Sequence, residues 1–113
     1  MSEPIRVGIV DDHPSIVAAV ADAVMAADDL ALAGTGRTLA DAVDLLIRSD
    51  VLVCDVQLDG RAEGLRLLEV ARGAPGAPPV LLVSGFGHAS CVRAAIDRGA
   101  AGYLDKGAEM TEI

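Results

Sequence analysis

The sequence has almost no aromatic residues: one Phe, one Tyr and no Trp among 113 residues. Proteins that hold single-stranded nucleic acid commonly stack successive bases on a row of aromatic side chains. Phe86 and Tyr103 cannot supply such a row, so a base-stacking surface is excluded.

Basic residues are also scarce. Nine Lys and Arg face seventeen Asp and Glu, for a net charge of −8, and the basic residues do not cluster along the chain. A surface of this charge repels phosphate backbones and anionic lipid. We therefore expect this segment to bind neither nucleic acid nor membrane directly.

Cysteine is limited to two residues. Cys54 and Cys91 have no companion at the spacing of a metal site or a disulfide framework, so each is predicted to be a structural thiol. The sequence also lacks a signal-peptide pattern and an apolar run long enough to span a bilayer. Together these absences predict a protein of the reducing cytoplasm.

Hydrophobic residues, mainly Ala, Val and Leu, make up 52% of the chain. A chain of this length and composition can bury the core of one globular domain. No linker, repeat or low-complexity segment divides the sequence, so a single domain is predicted over residues 1–113.

An apolar run that ends in a carboxylate, Val51-Leu52-Val53-Cys54-Asp55, organises the rest of the sequence. Runs without polar alternation are typical of parallel strands buried on both faces, and such sheets bind ligands beyond the carboxyl ends of their strands. A similar run at residues 5–10 ends in Asp11 and Asp12. Three carboxylates in one crevice would repel one another, so a cation, protons or a basic side chain is expected beside them.

Strand-like and helix-like segments alternate along the chain. Further strands are predicted at 30–33, before a Gly34-Thr35-Gly36 turn, at 80–83, before Ser84, and at 101–104. Helices are predicted at about 14–27, after a Thr38 cap to residue 46, from 65 to 70, and at about 88–98. This alternation predicts βαβ units and an α/β fold in which helices cover both faces of a parallel sheet.

The helix at 14–27 is apolar almost all round and is interrupted only by Asp22. This pattern predicts a helix that is covered on more than one side.

Polar residues that can handle phosphate follow the predicted strands: Asp11, Asp12, Asp55, Ser84 and Lys106. Three carboxylates offer the hard oxygen ligands that Mg²⁺ prefers. A hydroxyl and an ammonium group can hold the oxygens of a phosphoryl group. Phosphoryl transfer depends mainly on positioning and charge neutralisation, so this set predicts transfer of a phosphoryl group to Asp55.

These residues resemble the receiver domain of two-component response regulators over nearly the whole chain. The resemblance implies a flavodoxin-like, doubly wound sheet of five parallel strands in the order 2-1-3-4-5. The early Asp-Asp-His and the late Gly-Tyr-Leu run look most like receivers that precede helix-turn-helix DNA-binding domains. The stretches that carry the resemblance are Val10-Asp11-Asp12-His13, Leu52-Val53-Cys54-Asp55, Leu82-Val83-Ser84-Gly85 and Gly102-Tyr103-Leu104-Asp105-Lys106.

The resemblance assigns the metal and acceptor roles. It implies that Asp55 is the phosphoacceptor and that Asp11 and Asp12 bind Mg²⁺ together with Asp55. The main-chain carbonyl of Gln57 is a further implied ligand. His13, beside the acidic pair, is interpreted as a loop residue rather than a ligand or phosphodonor.

The resemblance also assigns the residues that respond to phosphorylation. Lys106 is expected to pair with the phosphoryl oxygens and Ser84 to follow them by a hydrogen bond. Tyr103 is expected to turn inward when Ser84 moves. Receivers usually have Pro after the lysine, often in a cis bond, but Gly107 stands here, and the cost of a cis bond without Pro predicts a trans bond.

The implied function is a switch in two-component signalling and transcription regulation rather than a turnover enzyme. The implied partners are a histidine kinase or phosphotransfer protein and a C-terminal DNA-binding domain that the sequence does not include. Residues 111–113 look like the first turn of a last helix that is cut short. The side of the first helix that would meet it, including some of Ile16, Val20, Ala23 and Ala27, is expected to lie open and to promote a homo-oligomer.

Two alternatives stay open. A Mg²⁺-dependent phosphohydrolase could form an aspartyl-phosphate on a similar sheet, but it would need an acid two residues after the nucleophile, where Gln57 stands, and a substrate cap. A receiver-like scaffold that works without phosphorylation is the other alternative, because Leu58-Asp59 replaces the usual Met-Pro and the loop before Gly64 is one residue longer.

Overall fold

A computed structural model describes residues 3–58, 63–74, 76–84 and 100–105, and at Ser84 and 103–105 it describes the backbone alone. The strands are β1 (Ile5–Val10), β2 (Leu30–Gly36), β3 (Val51–Asp55), β4 (Val80–Ser84) and β5 (Gly102–Asp105). The helices are α1 (Pro14–Ala26), α2 (Leu39–Leu46) and α3 (Glu63–Arg72). The helix predicted at 88–98 and the last helix predicted from 111 lie outside the described residues.

All five strands belong to one parallel sheet in the order β2-β1-β3-β4-β5. The predicted α/β fold and the predicted strand order are confirmed. Within the described ranges, no helix combines the length and the apolarity needed to cross a membrane.

Two hydrophobic cores explain why the strand sequences do not alternate. In β3, Leu52 and Cys54 join the core beneath α2 and α3, while Val53 joins the core beneath α1. In β4, Leu82 joins the core beneath α2 and α3, and Val83 joins the core beneath α1. Successive side chains of a strand point to opposite faces, so a strand buried on both faces must be apolar throughout.

Helix α1 buries one face only, which corrects the prediction that it is covered on more than one side. Its buried residues are Val20, Ala21 and Val24, whereas Met25 is 61% exposed. Of the side expected to lie open, Ala23 is exposed but Val20 is only 3% exposed. The small alanine side chains make the exposed face apolar in sequence at little cost in exposed apolar area.

Strand β2 is longer than predicted, because Gly34-Thr35-Gly36 continues the strand instead of forming a turn. Gly36 pairs with Val10 in the sheet. A Cβ atom at Gly36 would overlap the side chain of Asp41 in α2. Glycine therefore stands here to let a helix approach the sheet, a role that the sequence alone does not distinguish from a turn.

A capping box starts α2, as the predicted Thr38 cap requires. The Thr38 hydroxyl accepts from the Asp41 N–H at 3.2 Å, and the Asp41 carboxylate accepts from the N–H groups of Thr38 at 3.2 Å and Arg37 at 2.9 Å. These hydrogen bonds lower the pKa of Asp41, and the one from the Arg37 N–H has the largest effect. The contribution of this carboxylate to stability is therefore present above the pKa of an unfolded Asp and is lost as the pH falls through the lowered pKa.

The Thr38→Ala variant is expected to lower the free energy of unfolding by about 1 kcal/mol, the usual cost of losing an N-cap side chain. Urea denaturation at neutral pH measures the loss. Thr38→Ser is the matched control, because it keeps the hydroxyl acceptor and should stay close to the wild type. Equal stability of the alanine and serine variants would contradict a capping role.

Candidate functional site

The sheet register places Asp11 and Asp55 side by side. Val10, the last residue of β1, pairs with Cys54 of β3, and the residue that follows each of them is one of these aspartates. The N–H of Asp11 donates to the carbonyl of Gly36 at 3.0 Å, which anchors the end of β1 to β2. Both aspartates are 3% exposed and lie at the carboxyl edge of the sheet.

The three carboxylates that the sequence predicted at one mouth do meet. One ligand atom from each of Asp11, Asp12, Asp55 and His13 lies within 4.8 Å of all the others. Asp12 is more open than its neighbours, with 27% of its side chain exposed. The cluster therefore has two buried carboxylates and one that reaches solvent.

His13 is the member of this cluster that sequence reasoning missed. Its Nδ1 lies 2.8 Å from Asp11 Oδ1, 3.1 Å from Asp12 Oδ1 and 3.6 Å from Asp55 Oδ2. The cause is local: Asp11 Oδ1 accepts from the His13 N–H at 2.9 Å, a turn that folds the residue back over the acidic pair. The adjacency of Asp-Asp and His in the sequence was the available signal.

The two carboxylate oxygens of Asp55 have different surroundings. Oδ1 accepts from the N–H of Gln57 at 3.2 Å, while Oδ2 faces His13. The carbonyl of the next residue, Val56, accepts from the N–H of Gly64 at 2.9 Å. The start of α3 thus holds the backbone that follows β3.

Cys54 is a core residue, in agreement with its interpretation as a structural thiol. Its side chain is fully buried, and its Sγ donates to the carbonyl of Asp55 at 3.3 Å. Burial, and then the charges of Asp55 and Asp11, raise the pKa of Cys54 to about 12. The thiol therefore stays protonated beside the carboxylates. Cys91 lies outside the described residues.

The backbone brings two further predicted residues toward the same edge. Val83 pairs with Asp55, and Ser84 is the next residue of β4. Ser84 pairs in turn with Asp105 of β5, and Tyr103 lies within that strand. Lys106 and Gly107 follow in the chain but lie outside the described residues.

The donor set fits a hard divalent cation. Mg²⁺ binds through one or two carboxylates while keeping several waters, and it reaches substrate phosphate through the open positions. Asp11 and Asp55 supply buried carboxylates, and the partly exposed Asp12 leaves the cluster accessible to water and phosphate. The carbonyl of Gln57 as a ligand stays a prediction.

Comparison with known families gives one match over most of the chain. A family model described as the response regulator receiver domain matches residues 7–113. The nitrogen assimilation regulatory protein NtrX of Azorhizobium caulinodans is 34% identical over 101 residues, which are 87% of this chain and 22% of that protein. The nitrate/nitrite response regulator NarL of Escherichia coli is 26% identical over 113 residues, which are 98% of this chain and 52% of that protein.

Solved structures agree. The signal receiver domain of the response regulator NarL from Mycobacterium tuberculosis superposes with a TM-score of 0.90 at 29% identity, covering 98% of this chain and 90% of that one. The response regulator ChrA of a heme-sensing two-component system gives a TM-score of 0.79 at 30% identity, covering 98% of this chain and 53% of that one. The chain thus spans about half the length of NarL from E. coli and about a fifth of NtrX.

Proposed function

The chain belongs to the response regulator receiver domain family, and from this premise we propose that it is a phosphorylation switch in which Asp55 accepts a phosphoryl group with the help of Mg²⁺. The observation that carries the proposal is the position of Asp55: a buried carboxylate at the end of a central strand, within 4.8 Å of ligand atoms from Asp11 and Asp12. A bound cation would offset the mutual repulsion of carboxylates held so close together, and their oxygens are ligands of the kind that Mg²⁺ prefers.

The two carboxylate oxygens of Asp55 have different surroundings and would take different roles in the transfer. Oδ1 accepts from the Gln57 N–H, and Oδ2 faces His13 and the acidic cluster. One of these oxygens would bind the cation together with Asp11 and Asp12. The other forms a bond to phosphorus while the bond from phosphorus to the imidazole nitrogen of a phosphohistidine breaks, and the departing nitrogen keeps the electron pair and takes a proton from water. Asp11 and Asp12 would hold Mg²⁺, which would neutralise the charge on the transferring phosphoryl group.

Three further residues complete the proposed switch. Lys106 pairs with the phosphoryl oxygens, and Ser84 follows the phosphoryl group through a hydrogen bond. Tyr103 turns inward when Ser84 moves. The backbone register supports Ser84, because it is the residue after the one that pairs with Asp55.

We propose a switch and not a turnover enzyme. An aspartyl-phosphate hydrolase needs an acid two residues after its nucleophile to protonate the leaving group, and Gln57 has none to give. The domain spans residues 1–113, and its partners are a histidine kinase or phosphotransfer protein in the cytoplasm, a DNA-binding output domain of the kind that NarL-type transcription regulators use, and a second copy of the chain.

Mass spectrometry of the intact protein after incubation with acetyl phosphate and Mg²⁺ tests the proposal. The wild type is expected to gain one phosphoryl group, and Asp55→Asn or chelation of the metal should abolish the gain. Asp50→Asn is the matched control, because Asp50 is an exposed aspartate that pairs with Arg6 away from the cluster. Labelling of Asp55→Asn at the wild-type level would refute the assignment.

A further inference from the structure

We propose that His13 is a nitrogen ligand of the metal site and that it makes the site favour Co²⁺ and Ni²⁺ over Mg²⁺ by more than three carboxylates alone would. The inference rests on the proposed function, because it concerns the same cation, but it adds a residue and a selectivity that the carboxylates do not supply.

The distances around Nδ1 suit a ligand of one ion. Two ligands at right angles on an ion with bonds of 2.0–2.1 Å lie about 3.0 Å apart, and two opposite ligands lie about 4.2 Å apart. Nδ1 lies 2.8 Å from Asp11 Oδ1, 3.1 Å from Asp12 Oδ1 and 3.6 Å from Asp55 Oδ2. These separations fall near the edge length of such a coordination sphere, so Nδ1 can take a corner beside the carboxylate oxygens with only small shifts.

The start of α1 does not depend on the His13 side chain. His13 is the N-cap residue of α1, but its side chain forms no capping hydrogen bond. The turn that places the residue uses its backbone N–H, which donates to Asp11 Oδ1. The ring is 60% exposed, and its Nδ1 lies within hydrogen-bond distance of Asp11 Oδ1, at 2.8 Å. A bound ion would replace this contact by coordination of both atoms.

The chemistry of the ligand predicts the selectivity. Mg²⁺ takes oxygen ligands and gives up its waters reluctantly, so an imidazole adds little to its binding. Imidazole nitrogen suits Co²⁺, Ni²⁺ and Zn²⁺, which also stand above Mn²⁺ and Fe²⁺ in the general order of affinity. Carboxylates alone already favour these ions, so the informative quantity is the change in selectivity when His13 is removed.

Calorimetric titration of Mg²⁺, Co²⁺ and Ni²⁺ into the wild type, His13→Ala and His88→Ala measures that change. We expect His13→Ala to weaken Co²⁺ and Ni²⁺ binding by at least about tenfold, the scale on which contacts of a metal site act, and to change Mg²⁺ binding by less than about threefold. His88→Ala, which removes the only other histidine, should bind all three ions like the wild type. An equal change for all three ions, or no change, would overturn the proposal.

Electron spin echo spectroscopy of bound Mn²⁺ gives a direct second readout. A nitrogen modulation should be present in the wild type and in His88→Ala and absent from His13→Ala. His13→Asn serves as a second variant, because Asn is a favoured N-cap residue and preserves the start of α1. Nitrogen modulation that survives both His13 substitutions would exclude His13 as the ligand.

The outcomes separate this inference from the proposed function. If Mg²⁺ supports phosphorylation of Asp55 but the ion preference is the same with and without His13, then only the inference fails. If the wild type binds none of the ions, then both the metal site of the proposed function and the role of His13 are wrong.

Discussion

The Gly64→Ala variant is expected to lose about 3 kcal/mol of folding free energy, at the upper end of what overpacking usually costs. A Cβ atom at this position would overlap the carbonyl oxygen of Asp55 and lie 2.8 Å from Val56 Cα. Both neighbours are backbone atoms of the segment at the end of β3, so neither can swing aside as a side chain would. The first turn of α3 must move away from the sheet, or the end of β3 must move with it.

Either movement displaces Asp55, the proposed acceptor. Because a misplacement of about 1 Å can cost about a hundredfold in rate, phosphorylation of Gly64→Ala by acetyl phosphate should slow even in the fraction that stays folded. Thermal or urea denaturation measures the free energy of unfolding, and the initial rate of mass gain measures phosphorylation.

Gly73→Ala is the matched control for this substitution. Gly73 follows the other end of α3, and the nearest atoms to a Cβ there are carbonyl oxygens at 3.8 and 3.9 Å. Replacing it should change stability by less than about 1 kcal/mol and in the favourable direction where the backbone tolerates alanine. If the two variants were equally stable, then the close approach of α3 to the end of β3 would not limit the side chain at position 64.

Cys54 is expected to resist alkylation in the folded protein by at least about a thousandfold relative to the unfolded chain. The thiolate is the reactive form, and a rise of the pKa from 9.0 to about 12 lowers the thiolate fraction near pH 8 by about that factor. Complete burial blocks the reagent as well. The measurement is the rate of iodoacetamide addition to Cys91→Ser, in which Cys54 is the only thiol, with and without guanidinium chloride.

The same pKa shift predicts how stability depends on pH. Between the ordinary pKa of a thiol and about 12, the unfolded chain releases the Cys54 proton while the folded chain keeps it. The free energy of unfolding therefore falls as the pH rises through this range. Urea denaturation of Cys91→Ser at pH 7.5 and pH 10 should show this loss, and Cys91→Ser/Cys54→Ala should show less of it.

For the alkylation experiment, a rate in the native protein within tenfold of the rate in the unfolded chain would contradict the burial of the thiol.

The sequence predicts the sheet well because the signal is redundant. β3 and β4 are unbroken apolar runs up to their polar last residues, Asp55 and Ser84, and β1 is followed directly by the acidic pair. The proximity of Asp11 and Asp55 can be predicted from the sequence, because parallel strands present their carboxyl ends at one edge of the sheet. Burial of both then follows from the neighbouring strands on either side of β1 and β3.

The features that the sequence does not predict depend on contacts between distant elements. Gly36 belongs to a Gly-Thr-Gly sequence that is typical of a turn. Only the side chain of Asp41, which packs against this position, shows why the strand needs glycine there. His13 has the local features of a loop residue, and only the fold of the chain over Asp11 brings its ring to Asp55. The apolar surface of α1 predicts burial on several sides, but whether a side is covered depends on what packs against it.

The order of strands also determines when the sheet can form during synthesis. All four strand pairings are parallel, so none can close as a hairpin and each must wait for a crossover segment to be made. β1 is synthesised before the other strands of the sheet, yet it gains its second neighbour only after the chain has reached Val51. Until then one edge of an apolar strand is open to other chains. The strand that precedes the acidic pair is thus a vulnerable element of the nascent chain, and slow translation between residues 36 and 51 would lengthen the exposure of that edge.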